Sequence, residues 1–540
     1  MPLNTRRPPA ALLAPAGGLL AALSFEPVGW GFLTPAAMGL LWLAVAPTPQ
    51  IRWRVVFVRG LSFGMTFMAA LLWWLVDSIG WVPWVLLTVT QALAVSIAAV
   101  AVAAARRLPA GPVWAGALWA VVEGIRSAWP LGGIPWGRLG VTAVDTPWEE
   151  LLPYCGISGT GFVLAVGGFA LGGLVGRSGT WRVPIMVTIL AAVAASSLAP
   201  FRAETAASYR VAVVQGGVPG DGRDLARHHR EVTDNHVEQT LAVAQRSATN
   251  RAEPKLDLVL WPENSTAVDP LRDQTARTGI NRAVAAVGVP TLVGGIFDGP
   301  DDTTAYNRGL VWLPDKTVDA SYTKMHPVPF GEYIPWRSII GNWSSRFELI
   351  PRDFVAGDDE GPLDIDGILV ANAICFDVAY DDVLPDQVRR GAQLVTVQTS
   401  NATFFGTSQP GQQFEITRAR AVELRRGVAV ASTNGVSGVI GPTGDVVARL
   451  PPGPGSAVVA SVPLSDTLTP AVRWQSLREH LLALLAIAGV LGCAIRSRRD
   501  RARTRETVGP VPGAVAPGAP DPDQESGKDD QRKVSKRPPE

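Results

Sequence analysis

Charge is thin in this chain. Only 18% of its 540 residues are Asp, Glu, Lys or Arg, and the signs cancel to a net +1, so no basic surface for a nucleic acid is implied. Cysteine is scarcer still. Cys155, Cys375 and Cys493 stand far apart, with no CxxC pair and no metal-ligand spacing, which argues against a disulfide framework and gives no metal or cofactor site. What the chain has in excess is apolar: 47% of residues are hydrophobic, concentrated before about Pro200 and again after residue 480. That distribution indicates a membrane protein carrying one large soluble domain.

Apolar runs fall near residues 10–25, 29–46, 56–76, 83–104, 111–126, 158–176 and 183–199. They are read as about seven spans of an N-terminal transmembrane domain, 1–205, although several fall short of the roughly 20 residues a straight span needs. A last run, 478–497, predicts a C-terminal transmembrane helix, and the Pro-, Gly- and charge-rich residues 498–540 predict a disordered cytoplasmic tail. Arg6 and Arg7, Arg52 and Arg54, Arg106 and Arg107, and Arg177 and Arg182 occupy alternate connections. By the positive-inside rule these face the cytoplasm, which puts the soluble domain, 206–466, on the outer face. The exception is the connection around Arg126 and Arg138, placed outside; its Trp129, Pro130, Gly132, Gly133, Pro135 and Trp136 suggest an interfacial or re-entrant loop. Trp30, Trp53, Trp73, Trp74, Trp81, Trp84, Trp136 and Trp148 are expected mostly to anchor at the membrane interface. Glu123 and Arg126, one turn apart in an apolar segment, can pair with each other.

In the soluble domain, strand-like runs at 210–215, 256–261, 291–297, 310–313, 321–324, 368–375, 394–399, 428–433 and 438–441 alternate with helical stretches at 224–248, 272–287 and 414–425. The alternation predicts an α/β domain. Three residues with useful chemistry sit where such elements end: Glu263 after Leu256 to Pro262, Lys324 ahead of a Pro- and Gly-rich loop, and Cys375 closing the apolar run from Ile368. A single cysteine in a strand is more often an inert core thiol. Here it comes with a carboxylate that can take its proton and an ammonium that can stabilise a thiolate or an oxyanion.

The order Glu263, Lys324, Cys375 and the words around each resemble the carbon-nitrogen hydrolase (nitrilase) superfamily. With its flanking membrane segments, the whole chain except the last forty or so residues resembles the apolipoprotein N-acyltransferases. The resemblance implies a four-layer α-β-β-α sandwich attached to a polytopic helical membrane domain. It implies an acyltransferase of a bacterial inner (plasma) membrane, with a phospholipid acyl donor and a diacylglyceryl-lipoprotein acceptor, and no cofactor; a monomer is expected. It assigns catalysis to Glu263, Lys324 and Cys375, with Glu332 orienting the lysine and Asn307 and Asp377 near the site. The N–H of Phe376, just after the nucleophile, is a natural oxyanion donor. His326 receives only a structural role.

The sequence departs from that pattern in Ser400-Asn401-Ala402-Thr403-Phe404-Phe405-Gly406, where relatives carry an aspartate after the asparagine and a tryptophan before the phenylalanine, and Phe376 stands where tyrosine is frequent. Between Lys324 and Cys375, Trp336, Ile339, Ile340 and Trp343 lie in a stretch too apolar for a free aqueous loop; it is either core or, as the preferred expectation, a lid that dips toward the membrane and admits acyl chains. Two other readings compete. A tethered amidase acting on a small amide would need neither the spans nor the lid, and a non-catalytic membrane scaffold would have no chemical reason to keep all three reactive groups.

Overall fold

The computed structural model describes residues 10–46, 52–176, 180–205, 207–220, 227–250, 254–342, 347–348, 350–358, 361–453 and 455–507. Arg6, Arg7, Arg177, Trp343 and residues 508–540 of the expected tail lie outside the described residues. The chain divides into two compact units, Met1–Cys493 and Ala494–Glu540. Of the second, the described residues are helical.

Helices occupy all the positions read as N-terminal spans: Ala10–Leu23, Thr34–Ala44, Trp53–Leu71, Trp81–Ala105, Gly111–Ala128, Leu152–Val175 and Arg182–Leu198. Among the described residues, Trp53–Leu71, Trp81–Ala105, Glu149–Val175 and Gln475–Ala502 are long and apolar enough to cross a membrane, while Ala11–Leu23, Gly31–Ala44 and Arg182–Leu198 are apolar but shorter. The bundle has two chemically different ends. At one, Arg59 donates to Ala44 O, Arg106 to Trp42 O and Arg182 to Gly173 O, and Arg107 lies over the Trp53 ring. At the other, the connections after Leu23, Leu71 and Ala128 meet the α/β domain.

That domain is built from β1 (Ala207–Gln215), β2 (Leu258–Leu260), β3 (Thr291–Asp298), β4 (Thr304–Trp312), β5 (Val318–Thr323), β6 (Asp353–Phe354), β7 (Leu363–Ile365), β8 (Ile368–Ile374), β9 (Leu394–Thr399), β10 (Val428–Ser432), β11 (Ser437–Ile440), β12 (Val446–Leu450) and β13 (Ser456–Leu464). One sheet runs β13-β1-β2-β3-β4-β5 with β6 beside β4, and the other β12-β11-β10-β9-β8-β7. The pairs β1/β2, β2/β3, β8/β9 and β9/β10 are parallel. Strand alternation sorts the side chains. Val211, Val213, Leu258, Leu260 and Leu292 join the core shared with the second sheet. Their neighbours Ala212, Val214, Val259, Trp261 and Val293 turn the other way, onto Val237 and Val243 of helix His229–Thr249 and Ile280 and Val284 of helix Gln274–Val287. Helices Leu384–Arg389 and Gln409–Leu424 cover the second sheet. The order is the four-layer α-β-β-α sandwich. A buried amide ladder links the sheets: Asn372 Nδ2 donates to Gln398 Oε1 at 3.0 Å, and Gln398 Nε2 to Trp261 O at 2.7 Å.

Among the polar joints that fasten the sandwich to the bundle, two bear on the site. Gln412 uses its whole amide: Oε1 accepts from Trp74 Nε1 at 3.1 Å and Trp136 Nε1 at 2.8 Å, while Nε2 donates to Glu26 O at 2.8 Å and Leu71 O at 3.1 Å. In the second joint Arg138 holds Asp381 in two bonds of 2.8 and 2.7 Å, Arg420 donates to the same carboxylate at 2.7 Å, and Arg420 also pairs with Glu423 at 2.5 Å. Glu423 Oε1 then accepts from Ile157 N at 3.0 Å, where Gly156 with φ +65° kinks the helix Leu152–Val175.

These joints revise several expectations. Trp74 and Trp136 are buried at the joint and hydrogen-bonded to Gln412, not set at the interface, because an indole N–H inside the protein needs a partner. Glu123 and Arg126 do lie 3.8 Å apart, and Arg126 also donates to Trp136 O at 2.7 Å and Gly137 O at 2.9 Å. The pair thereby holds the loop that carries Trp136. The last helix runs Gln475–Thr507, beyond residue 497, since the Arg- and Ala-rich stretch that follows the apolar run is itself a good helix former. The strands β12 and β13 were not anticipated beyond Gly441; β13 carries Pro463, which suits an outer strand.

Burial alone would raise the Asp381 carboxyl, but the guanidiniums of Arg138 and Arg420 hold it well below the usual carboxylate range. A depressed carboxyl contributes its stability above the unfolded value of about 3.9 and loses it as pH falls below that. Asp381→Asn is therefore expected to cost about 3 kcal/mol at pH 7. Its thermal transition in detergent should lie well below wild type at pH 7, and the gap should begin to narrow as pH falls below about 4 without closing by pH 3, because the wild-type carboxyl is still ionised there; equal transitions at pH 7 would contradict the network's role.

Candidate active site

Glu263, Lys324 and Cys375 each lie just beyond the C-terminal end of a strand, β2, β5 and β8, and the sandwich brings those ends together. Cys375 follows Ile374 with φ +56°, a left-handed residue that breaks the strand and opens the short turn Cys375–Ala379. Asp377 fixes that turn. It is fully buried and accepts from Tyr322 Oη and His326 N at 2.9 Å each, and from Met325 N and Ile374 N at 3.3 Å each. One carboxylate thus ties the loop after Lys324 to the turn that carries the thiol.

Lys324 is 1% exposed. Its Nζ donates to Glu263 Oε1 at 3.1 Å and Glu332 Oε1 at 3.0 Å, and lies 2.9 Å from Glu332 Oε2. Asn307, in the middle of β4, donates Nδ2 to Glu263 Oε1 at 2.7 Å and Glu332 Oε1 at 2.9 Å. The outer oxygens are held by backbone: Glu263 Oε2 accepts from Ser400 N at 2.8 Å and Glu332 Oε2 from Val328 N at 2.7 Å. Burial works against the lysine's charge, but the carboxylates of Glu263 and Glu332 outweigh it and raise its pKa well above the ordinary value, so it is an ammonium at neutral pH. Burial pushes the Cys375 thiol up, and the Glu263 carboxylate adds to that; the Lys324 ammonium and the Thr399 hydroxyl, 3.4 Å from Sγ, pull the other way. At rest the sulfur is protonated and beside a base, which suits nucleophilic attack coupled to proton transfer.

The sequence-derived residues converge. Glu332 and Asn307 sit on Lys324 and Glu263, and Asp377 supports from behind. Phe376 is buried, its ring 4.8 Å from Trp136 and 6.2 Å from Phe404. His326 touches the cluster only through its backbone N–H to Asp377; its ring lies apart, with Nε2 3.0 Å from Asp382 and the ring stacked on Tyr380 at 3.8 Å. Trp336 and Ile339 are 63% and 70% exposed, so this loop is not core; Ile340 is half-buried. Arg337 anchors it through Asp353 at 2.9 Å and Ile350 O at 2.9 Å. Sequence reading missed Thr399 and Ser400, which touch Cys375 and Glu263. Their signal was position: Thr399 closes an apolar strand, and Ser400 opens the stretch already marked as divergent.

Residues 17–170 match the apolipoprotein N-acyltransferase N-terminal domain, and residues 210–469 match carbon-nitrogen hydrolase. An apolipoprotein N-acyltransferase of Mycolicibacterium smegmatis is 32% identical over 507 residues, covering 89% of this chain and 85% of that one. One of Photobacterium profundum is 26% identical over 531 residues, covering 92% and 96%. Among solved structures, a nitrilase-superfamily protein of Saccharomyces cerevisiae aligns with 51% of this chain and 97% of its own at 16% identity and a TM-score of 0.36.

Replacing Lys324 removes the charge that opposes burial at sulfur. Lys324→Met is expected to slow alkylation of Cys375 by iodoacetamide at pH 8 by roughly tenfold or more, one pKa unit being a factor of ten. Peptide-level mass spectrometry on folded protein reads this, and an unchanged rate would remove the lysine from the thiol's electrostatics.

Proposed function

Because the chain belongs to the apolipoprotein N-acyltransferase family, and so N-acylates lipoproteins as a membrane acyltransferase, we propose that it takes the acyl chain from a membrane phospholipid onto Cys375 and passes it to the α-amino group of an S-diacylglyceryl-cysteine. Glu263 accepts the thiol proton as Sγ attacks the ester carbonyl. Lys324 and the Phe376 N–H stabilise the oxyanion. Collapse of the tetrahedral intermediate expels the glycerol oxygen, which takes the proton back from Glu263 and leaves as a lysophospholipid. In the second half the lipoprotein amine gives a proton to Glu263 and attacks the thioester, and the Cys375 thiolate departs and is reprotonated. Glu332, Asn307 and Asp377 act by holding these groups.

The observation that carries this reading is an exposed apolar loop, Trp336 and Ile339, beside a closed Glu-Lys-Cys cluster. A lid that rests in lipid admits an acyl chain while limiting water, which competes with the amine for the thioester. The outer-face orientation in a bacterial plasma membrane is supported by charge: Arg52, Arg54, Arg106, Arg107 and Arg182 gather at the end of the bundle away from the α/β domain. We place the chain there as a monomer, with 1–205 and 478–497 as its membrane parts and 206–466 as its catalytic domain.

Incubation of the purified protein with phospholipid vesicles and no acceptor should add the mass of one acyl chain, labile to hydroxylamine, to wild type and not to Cys375→Ala. The double variant W336S/I339S should acquire it more slowly at an unchanged thermal transition. No adduct on folded wild type across several phospholipids would eliminate the phospholipid donor and favour small-amide hydrolysis.

A further inference from the structure

We propose that Thr399 is a catalytic residue that donates its hydroxyl hydrogen to the Cys375 thiolate, and that Gln413 is the positioning residue that compels it to do so. This rests on Cys375 being the nucleophile. Thr399 ends β9, beside β8 in parallel register, with Gln398 opposite Ile374, which brings Thr399 level with Cys375. Its Oγ1 is 3.4 Å from Sγ, within reach of a sulfur hydrogen bond, and the residue is 2% exposed.

The direction of that bond follows from a chain of partners that starts at the backbone. Gly435 N, which can only donate, gives its hydrogen to Ser432 Oγ at 2.8 Å. Ser432 Oγ has two acceptors in reach, Asn401 Oδ1 at 2.9 Å and Ser400 O at 3.3 Å, and its hydrogen goes to the nearer, so Asn401 presents Nδ2 on its other side. That Nδ2 donates to Gln409 Oε1 at 2.9 Å and Gln413 Oε1 at 3.0 Å, and Gln409 Nε2 donates to the same Gln413 oxygen at 2.9 Å. With Oε1 taken by two donors, Gln413 must face Thr399 with Nε2, at 3.2 Å. Thr399 Oγ1 therefore receives a hydrogen from Gln413, and its own hydrogen goes to sulfur. Asn401, Gln409 and Gln413 are all under 5% exposed, so water does not scramble these orientations.

The interaction strengthens when sulfur becomes charged, because a hydrogen bond to an ion is roughly twice as strong as a neutral one. It is weakest in the thioester, whose sulfur is a poor acceptor. The hydroxyl thus favours both moments at which sulfur carries charge: the attack, when Glu263 removes the thiol proton, and the expulsion of thiolate by the amine. That is differential stabilisation rather than uniform binding. The other charged groups around Sγ are Glu263 beyond β2, Lys324 beyond β5, Glu332 in the following loop, and Asp377 on the cysteine's own turn. None of them is altered by changing Thr399.

The test is the pH profile of Cys375 alkylation by iodoacetamide, read by peptide mass on the full chain in detergent, which needs no lipid. Thr399→Val should move the midpoint up by about one pH unit or more and cut acyl-adduct formation roughly tenfold to a hundredfold. Thr399→Ser should restore both. Gln413→Glu keeps the oxygen that Asn401 and Gln409 use but offers Thr399 an acceptor, so the hydroxyl turns from sulfur; the added carboxylate raises the midpoint in either background, and the rise should be larger where Thr399 is present than in T399V. A wild-type midpoint in T399V, a failure of T399S to restore it, or an equal effect of Q413E in both backgrounds would overturn the proposal. Should T399V not fold, T399S and Q413E decide it. A shifted midpoint in T399V while wild type takes no acyl chain would leave this inference standing and discard the phospholipid donor.

Discussion

A lysine that is 1% exposed keeps its charge only if carboxylates accompany it into the interior, and the site is built around that constraint. Glu263 and Glu332 both reach Lys324 Nζ, and two carboxylates so close would repel were it not for the ammonium and the Asn307 amide between them. Each must also have its second oxygen satisfied, which Ser400 N and Val328 N provide. The cluster therefore draws backbone from both sheets and from the loop after β5 into fixed positions. A thiol placed beside it sees a base and a cation at once.

The same logic of full satisfaction explains how the membrane bundle is coupled to the chemistry. Gln412 spends all four of its hydrogen-bonding sites on the bundle, holding Trp74 and Trp136, and Trp136 packs on Phe376, the residue after Cys375. The adjacent Gln413 faces inward, toward Thr399. Neighbouring residues on one helix thus serve the membrane joint and the sulfur, so a shift of the bundle against the sandwich would be felt at the turn that carries Cys375.

Much of this was legible in the sequence because it follows short-range rules. Apolar runs located the helices of the bundle, and period-two alternation with turn residues located most strands. Strand ends carrying Glu263, Lys324 and Cys375 named the groups that the fold brings together. What was not legible is contact across long separations. Nothing near Trp136 in sequence reveals Gln412, and nothing near Arg138 reveals Asp381, so the tryptophans were read as interface anchors by the general preference of indole. Thr399 was passed over because a threonine ending a β-strand is ordinary; its meaning appears only when parallel pairing sets it beside Cys375.

The proposed function requires Cys375 to hand its acyl chain to an amine. The most direct measurement is a chase. Wild-type protein is loaded with a labelled acyl chain, freed of phospholipid, and mixed with a synthetic diacylglyceryl lipopeptide. The account predicts that label leaves Cys375 and appears, mole for mole, in a hydroxylamine-stable amide at the peptide's N-terminus. Label released only as free acid, or peptide acylated while Cys375 keeps its label, would contradict it.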